Sequence, residues 1–256
     1  MQKNVNHYIS LTSIYQNQEI LLKTLYSLIK QTIIPTKIYL FISESPYLLD
    51  SGFKNKEITF NELKEFVILH SNIIEVRWVE NTGPYRKFLP LLEKKWDENC
   101  IIITVDDDTI YCDNLIEEMI KDYMEKQCVV GYRGFTPMCE VLDQFDYNKR
   151  KDLDNRSLYN FVTGKGGILY CPKFFHKTKD LIFNHSIYMK YCPTADDIWF
   201  YLLRIINGIE CYIKESPYMT KDNTNIPYGL YINYNQTKNT NTLLITLEEL
   251  KKYSSI

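Results

Sequence analysis

The chain has 256 residues, of which 45% are hydrophobic and 24% are charged. These values match folded globular proteins and the length allows a substantial core, which excludes wholesale disorder, a coiled coil and a mini-protein held by disulfides. Thirty Lys and Arg residues against 32 Asp and Glu residues give a net charge of -2, so no global basic field is available for nucleic acid. We therefore expect a soluble folded protein with no nucleic-acid partner.

The cysteines and the apolar runs bear on the expected location. The seven cysteines are scattered and never form a C-x-x-C pair, which argues against a zinc site and a disulfide framework. Residues 1–7 are polar, and no later run approaches the roughly 20 apolar residues of a membrane span. We expect a cytoplasmic protein without a membrane span, and peripheral association with the inner face of a membrane is compatible with this location.

The first part of the chain alternates short apolar runs with helical patterns, which is typical of an α/β layered domain. Strands are predicted at residues 5–11, 37–42 and 74–78, where the apolar runs lie. Helices are predicted at three places: residues 21–29, ending before Pro35; a helix opened by the capping box of Thr59 and Glu62 and running to about Leu69; and a helix with Pro84 in its first turn.

The middle of the chain continues this alternation. Residues 100–105 are continuously apolar and rich in β-branched side chains, as expected of a central strand buried on both faces. Asp113 is predicted to cap a helix over residues 115–123, and a strand is predicted at 129–132. Residues 136–160 are mostly charged and polar, which predicts a long loop.

The last part of the chain carries two further helix predictions. Apolar residues at helical spacing predict a helix from 195 to 206, which Asn207 and Gly208 end. Residues 216–242 are rich in Asn, Thr, Tyr and Gly, and Thr246 with Glu249 is predicted to cap a short terminal helix. No internal repeat or low-complexity linker is found, so one domain over 1–256 is expected.

Three consecutive aspartates, Asp106 to Asp108, directly follow the predicted central strand. Ligands of open α/β sheets bind beyond the carboxyl ends of the strands, so these carboxylates are expected at a ligand site. Like charges so close together favour a bound cation or raised pKa values, and oxygen ligands suit Mg²⁺ or Mn²⁺ with phosphate oxygens. The alternative is a solvated acidic loop without a ligand.

Three further segments carry candidate chemistry. Asp196 and Asp197 open a predicted helix, where one could cap the helix and the other act as a general base. The glycine-rich turn 164–167 allows close approach of backbone to a ligand, although it lacks the residues of a P-loop. The segment 81–87 offers backbone amides and two cations for a phosphate or a base, and the simpler interpretation of each turn is punctuation of the chain.

The order of these motifs resembles that of GT-A fold glycosyltransferases, the family-two-like inverting kind, over about residues 5–215. The acidic triplet and the later Ala-Asp-Asp-Ile-Trp at 195–199 are the most specific parts. The resemblance implies a single Rossmann-like GT-A domain with a mixed, mostly parallel central sheet flanked by helices. It also implies a nucleotide-binding half at 1–110 ending in D-x-D, an acceptor and catalytic half at 111–215, and a C-terminal tail and helix at 216–256.

The resemblance implies a role for each matching position. Asp106 and Asp108 would hold a Mn²⁺ or Mg²⁺ ion at the donor diphosphate, and Asp106 could also contact the ribose. Asp197 would deprotonate the acceptor hydroxyl and Asp196 would orient a sugar, although which of the two is the base stays open. The donor-binding positions implied by motif or location are Thr12, Ser13, Glu44, Asn81, Lys87, Asp106, Asp107, Gly166 and Gly167.

The implied activity is a hexosyl or N-acetylhexosaminyl transfer from a nucleoside-diphosphate sugar, with uridine as the expected base, to a hydroxyl of a glycan or lipid-linked glycan. Bacterial polysaccharide biosynthesis is the implied setting. Two departures from the family pattern concern the base contact and the metal: Glu44 stands where an Asp is usual, and no histidine follows His185.

Two rival functions remain open at this point. A D-x-D element after a buried strand also begins haloacid-dehalogenase-like sites, which would make the chain a metal-dependent phosphohydrolase. A non-catalytic module of the same fold would bind a nucleotide sugar or carbohydrate without releasing a nucleoside diphosphate.

Overall fold

A computed structural model describes residues 5–214, the backbone of 220–222, and residues 229–254. The strands are β1 (His7–Thr12), β2 (Lys37–Ile42), β3 (Ile74–Trp78), β4 (Ile101–Thr104), β5 (Thr109–Tyr111), β6 (Val129–Gly131), β7 (Gly134–Pro137), β8 (Arg150–Lys151), β9 (Arg156–Ser157), β10 (Phe161–Val162), β11 (Ile168–Tyr170), β12 (Cys211–Ile213) and β13 (Thr220–Asp222). The helices are α1 (Gln18–Ile29), α2 (Asn61–Leu69), α3 (Leu89–Lys94), α4 (Leu115–Lys126), α5 (Lys179–Ile182), α6 (His185–Tyr191), α7 (Asp196–Ile206) and α8 (Asn239–Leu250).

A mixed, mostly parallel eight-stranded sheet flanked by helices forms the centre of the fold, as the sequence predicts. Its order is β3-β2-β1-β4-β11-β6-β12-β9, and β10-β7-β8 and β13-β5 form two smaller sheets. Strands β3, β2, β1 and β4 run parallel, β11 is antiparallel to both β4 and β6, and β12 runs parallel to β6. The carboxyl ends of β1, β4 and β6 therefore share one edge with the amino end of β11.

Several predicted elements are confirmed by the structure. Strands β2 and β3 have the predicted bounds, and β4 occupies the interior of the predicted central strand with every residue buried. Helix α7 follows the predicted range and ends at Asn207, after which Gly208 takes a φ of 72°. A left-handed residue at this position suits glycine, which explains the stop.

The helix starts differ from the predicted caps. Helix α2 has Phe60 rather than Thr59 as its N-cap, and α4 has Asn114 rather than Asp113, with no side-chain cap in either case. Instead, the side chains of two glutamines, one in α1 and one just after it, accept hydrogen bonds from backbone N–H groups at these helix starts. Gln18 Oε1 accepts from the backbone N–H groups of Thr59 and Phe60 at 2.9 and 3.1 Å, and Gln31 Oε1 accepts from Ile116 N–H at 3.0 Å.

Two predictions about irregular regions are wrong. The predicted long loop 136–160 contains β8, β9 and the last two residues of β7, and it also places the aromatic side chains of Phe145 and Tyr147 in the core. The terminal helix begins at Asn239, not near Thr246, and the Thr246 hydroxyl donates to the Thr242 carbonyl at 2.7 Å inside the helix. The prediction for residues 216–242 lies partly outside the described residues.

An aromatic cluster in the core connects distant parts of the chain. Phe88 stacks on Tyr170 of β11 at 4.6 Å between ring centroids and meets Phe200 of α7 edge-on at 5.0 Å. Such pairs stabilise a core beyond the area that they bury. Within the described residues, no helix is both long and apolar enough to cross a bilayer.

Candidate active site

A cavity of about 710 Å³ opens at the sheet edge where β1, β4 and β6 end. Its walls include four regions near this edge: the residues after β1, the acidic triplet after β4, the turn before β11, and the start of α7. Residues 229–239 add a fifth wall. The volume lies within the range of small-molecule sites, and carboxyl ends of strands are the usual ligand edge of such sheets.

Lys87 lies between carboxylates from two parts of the chain. Its Nζ donates to Asp106 Oδ1 at 2.9 Å and forms an ion pair with Asp196 Oδ2 at 3.4 Å, and the lysine is only 8% exposed. Burial acts to lower its pKa, but the carboxylates of Asp106, Asp196 and Asp197 outweigh burial and raise the pKa well above the ordinary value. Lys87 is therefore a fixed positive charge that joins the two acidic motifs.

Asp107 turns away from its neighbours and is bound to the residues around the start of α1. Its Oδ2 accepts from Ser13 Oγ and from Asn17 Nδ2, the latter at 3.2 Å, and its carbonyl accepts from Thr24 Oγ1 at 2.7 Å. Burial and the Asp108 charge raise the pKa of Asp107 to about 7. These contacts anchor the acidic turn to β1 and α1.

Asp108 stands on the cavity wall beside Asp106. Burial and then the charge of Asp106 raise the pKa of Asp108, whereas Lys165 and the Thr109 hydroxyl act to lower it. A repulsion between carboxylates of this kind is relieved by a cation. No three His, Cys, Asp or Glu side chains form a metal-ligand group in the part of the chain described, so a metal here would take further oxygens from elsewhere.

Asp197 is a carboxylate on the cavity wall at the start of α7. Its Oδ2 accepts from the backbone N–H of Gly164 at 3.3 Å, and its side chain lines the cavity. Burial and then the Asp196 charge raise the pKa of Asp197 to about 7. A carboxylate that titrates near neutrality can accept a proton during a reaction and still be ionised beforehand.

Asp196 differs from Asp197 although the two are adjacent at the start of α7. It is 6% exposed and pairs with Lys87, which makes it a partner of the lysine within the cavity wall. Neither aspartate caps the helix, whose N-cap is Ala195.

The structure brings some of the other predicted donor-binding residues to the cavity. Thr12 and Ser13 line it, although the Thr12 hydroxyl donates to the Phe41 carbonyl at 2.7 Å. Glu44 is exposed and Asn81 is not part of the cavity wall; the Asn81 amide donates to the Ser45 carbonyl at 2.7 Å and to Asp50 at 3.0 Å. These two therefore lie beside the cavity rather than in it.

Of the glycines in the turn 164–167, Gly166 and Gly167 do not line the cavity. Gly164 lines the cavity, and a Cβ atom there would stand 2.6 Å from Lys87 Nζ and 2.8 Å from Asp106 Oδ1. Gly166 packs against the backbone of Tyr132 and Arg133, and Gly167 faces Met119 with a φ of 78°. The turn thus serves close packing around the lysine at Gly164 and around the sheet at Gly166.

The sequence does not predict a buried ion pair that Asp50 and Arg86 form on the β2 side of the cavity. Asp50 and Arg86 lie 3.1 Å apart with side chains 2% exposed, and both line the cavity. Asp50 also accepts from the backbone N–H groups of Tyr15 and Gly52, each at 3.0 Å. Arg86 was expected among the free cations of segment 81–87, but this pairing makes it part of the framework.

The cavity wall also contains residues that no motif indicates. Arg133, Tyr147, Arg150 and Phe161 line it, together with Tyr231, Asn235 and Asn239. Arg150 lies in β8 and Phe161 in β10, Arg133 and Tyr147 lie between strands, and the other three come from the C-terminal segment. Their only signal in the sequence is a pair of arginines in a chain that otherwise favours lysine.

Comparison with protein-family models finds no match, and comparison with curated protein sequences finds no relative. Solved structures do share the fold. S. aureus TarS 1-349 in complex with UDP-GlcNAc aligns with 98% of this chain and 68% of its own, at 12% identity and a TM-score of 0.61. The same fragment in complex with UDP aligns with 84% of this chain, at 13% identity and a TM-score of 0.53, and there the alignment spans only 60% of the TarS fragment.

A second kind of enzyme shares the architecture. The 4-diphosphocytidyl-2C-methyl-D-erythritol synthase of Anaerococcus prevotii aligns with 97% of this chain and 100% of its own, at 12% identity and a TM-score of 0.53. Together these likenesses show a GT-A-like, Rossmann-like fold.

Proposed function

We propose that the chain is an inverting glycosyltransferase of the family-two-like kind, which transfers a sugar from a UDP-sugar to a hydroxyl of a glycan acceptor. The observation that carries the proposal is the Asp197 carboxylate, whose pKa is raised to about 7 on the wall of a cavity that also holds the acidic triplet. The UDP and UDP-GlcNAc complexes of TarS support the choice of donor, since TarS shares the fold.

The donor would lie along the β1 and β4 ends of the cavity. The uridine would approach Thr12, Ser13 and Asn17, where the Asn17 Oδ1 atom is buried and has no hydrogen-bond partner among the described residues. The diphosphate would approach Asp106 and Asp108. Lys87 would hold these carboxylates in position, since it already binds Asp106.

Asp106 and Asp108 would hold a Mn²⁺ or Mg²⁺ ion. The donor set fits such an ion, because hard cations prefer carboxylate oxygens, and because burial and then the charge of Asp106 raise the pKa of Asp108, which a nearby cation would offset. The ion would supply positive charge for a departing diphosphate.

In the proposed reaction, the acceptor hydroxyl attacks the anomeric carbon of the donor. The new C–O bond forms as the bond from that carbon to the diphosphate oxygen breaks, and the hydroxyl proton passes to Asp197. UDP leaves with the bonding electrons. Asp197 suits this role better than Asp196, because Asp196 is paired with the buried ammonium of Lys87.

Identification of the released product tests the proposal. The purified protein is incubated with UDP-GlcNAc, UDP-glucose or UDP-galactose and Mn²⁺, with and without glycan acceptors, and the products are separated by ion-exchange chromatography. We expect release of UDP from at least one donor, and a higher melting temperature with UDP.

Each rival function predicts another outcome. Release of inorganic phosphate from phosphomonoesters would indicate a phosphohydrolase, and release of pyrophosphate from a nucleoside triphosphate would indicate nucleotidyl transfer. Binding of the UDP-sugar without release of UDP under any acceptor would indicate a non-catalytic module. Any of these results contradicts the proposed function.

A further inference from the structure

Two arginines on the cavity wall, Arg133 and Arg150, have no acidic partner among the described residues. The arginine ion pairs among the described residues involve Arg77, Arg86 and Arg156. Arg133 and Arg150 line the cavity instead, and both side chains are exposed. An unpaired guanidinium beside a cavity is available to a ligand, and its planar fork suits carboxylate and phosphate.

Arg150 is held by aromatic rings. Its guanidinium carbon lies 4.1 Å from the ring centroid of Phe135 and 5.7 Å from that of Tyr147, and these two rings meet edge-on at 5.1 Å. Stacking on a ring uses the face of a guanidinium and leaves the N–H groups at its edge free to donate. The rings thus position Arg150 through the face of its guanidinium, and this contact uses none of its N–H groups.

Arg133 is linked to the proposed base, Asp197, through hydrogen bonds of Thr163 and Gly164. Its Nη1 donates to Thr163 Oγ1 at 3.3 Å, and its carbonyl accepts from the Thr163 backbone N–H at 3.0 Å. The next residue, Gly164, donates its N–H to Asp197 Oδ2 at 3.3 Å. This short path places Arg133 on the same side of the cavity as Asp197.

The charges around Tyr147 agree with this arrangement. Tyr147 is 8% exposed, and after burial the groups that act on its pKa are Asp197 and Tyr231, which raise it, and Arg150 and Arg133, which lower it. Tyr147 therefore lies within electrostatic range of Asp197, Tyr231, Arg150 and Arg133, and all five residues line the same cavity.

We propose that Arg133 and Arg150 form an anion subsite for the acceptor, so that the acceptor carries a phosphate or carboxylate group close to its reacting hydroxyl. The inference rests on the proposed function, because Asp197 marks the acceptor side only if it is the base. In the proposed function the donor diphosphate would lie instead at Asp106 and Asp108, which follow β4 in the cavity wall. Tyr147 and Tyr231 would provide ring faces for the acceptor sugar.

Sugar binding to wild type and to an Arg133→Gln/Arg150→Gln double variant tests the subsite. The probes are glucose 6-phosphate, glucuronate and neutral glucose, measured by calorimetry in metal-free buffer without nucleotide. We expect at least one anionic sugar to bind wild type about tenfold or more tighter than glucose, because charge-assisted hydrogen bonds have that magnitude. The double variant should lose this preference, and comparison of the two anions shows whether phosphate or carboxylate is favoured.

Lys149→Gln is the control variant, because it also removes a positive charge from this part of the chain. Lys149 is next to Arg150, has a side chain 70% exposed, and pairs with Asp146 at 3.5 Å outside the cavity wall. It should leave the preference for anionic sugars unchanged. Circular dichroism checks that all variants fold, and Arg150→Lys should keep part of the preference, because the charge remains while the planar fork is lost.

Two results would overturn this inference without contradicting the proposed function. They are equal affinity of wild type for all three sugars, and an unchanged anion preference in the double variant. A loss of UDP affinity in the double variant would assign the arginines to the donor and would also overturn it, while leaving the proposed function standing. A wild-type protein that binds no UDP would contradict the proposed function, whereas the nucleotide-free sugar measurements would still decide whether the subsite exists.

Discussion

At the scale of single residues, two adjacent aspartates have acquired different properties. Asp196 is held by a buried lysine at 3.4 Å, whereas Asp197 accepts a hydrogen bond from the Gly164 backbone N–H at 3.3 Å and has its pKa raised to about 7. The sequence could not separate them, because both stand in the first turn of one helix. Their difference comes from Lys87, which lies over 100 residues earlier in the chain.

Asp197→Asn should lower turnover about 10² to 10⁴-fold and leave UDP affinity nearly unchanged, because the asparagine cannot accept the proton. The wild-type rate should rise with pH through about 7, since only the ionised carboxylate acts as base and its pKa lies there. The pH dependence of UDP release checks this. Asp180→Asn, an exposed aspartate in the first turn of α5, is the control and should change neither rate nor profile. An unchanged rate in Asp197→Asn would rule out the assignment.

Lys87→Met should destabilise the fold by about 3 to 5 kcal/mol, because it leaves Asp106 and Asp196 without their buried cation. Urea unfolding measures the effect. Lys94→Met is the matched control, since Lys94 pairs with Glu75 at 3.7 Å with a side chain 44% exposed, and such surface pairs contribute up to about 1 kcal/mol. Equal effects of the two substitutions would show that Lys87 does not bridge the acidic motifs.

At the scale of elements, α1 organises the starts of two other helices. Gln18 binds the entry to α2, and Gln31, just after α1, binds the first turn of α4. A local capping signal such as Thr59 with Glu62 was therefore misleading, because the donors were satisfied by residues 41 and 85 positions away. Such partners are invisible to a pattern that extends over four residues.

Gln31→Ala should lower the free energy of unfolding by about 1 to 3 kcal/mol, because it leaves the Ile116 N–H and the Cys112 carbonyl without a partner in the interior. Chemical denaturation followed by circular dichroism measures the change. Gln144→Ala removes an exposed glutamine from a short 3-10 helix and should have an effect near zero. If both variants are as stable as wild type, the start of α4 is satisfied by water.

The periodic parts of the sheet could be predicted and the cavity walls could not. Strands such as β2, β3 and β4 are read directly from their apolar runs, and the acidic residues from their place after a buried strand. Asp50 and Arg133 reach the cavity from irregular backbone and Arg150 from the two-residue strand β8, so only the folded chain shows their neighbours. The polar stretch at 136–160 concealed β8 and β9 because each has only two residues and none of these residues is buried.

At the scale of the whole molecule, one sheet crosses the boundary between the two predicted halves. Strand β4 of the first half pairs with β11 of the second, and Phe88 stacks on Tyr170 beside that pairing. A single domain over 1–256 stays a prediction, which this continuity favours.

Unfolding in urea should follow one transition by every probe, because the two halves share a sheet and a core. Trp78 and Trp96 report on the first half and Trp199 on the second, so Trp78→Phe and Trp96→Phe together leave a fluorescence signal from α7 alone. Its midpoint should coincide with that of circular dichroism in the same variant. Separate midpoints would show two independently unfolding units.

The fifth wall of the cavity has a consequence for the order of events at the ribosome. Gly229, Tyr231, Asn235 and Asn239 line the cavity with residues that come far earlier in the chain. A nascent chain in which β1, β4 and the acidic turn have emerged still lacks this wall until synthesis passes residue 239. The capacity to hold a ligand is thus acquired late, after the sheet that supports it can already pair.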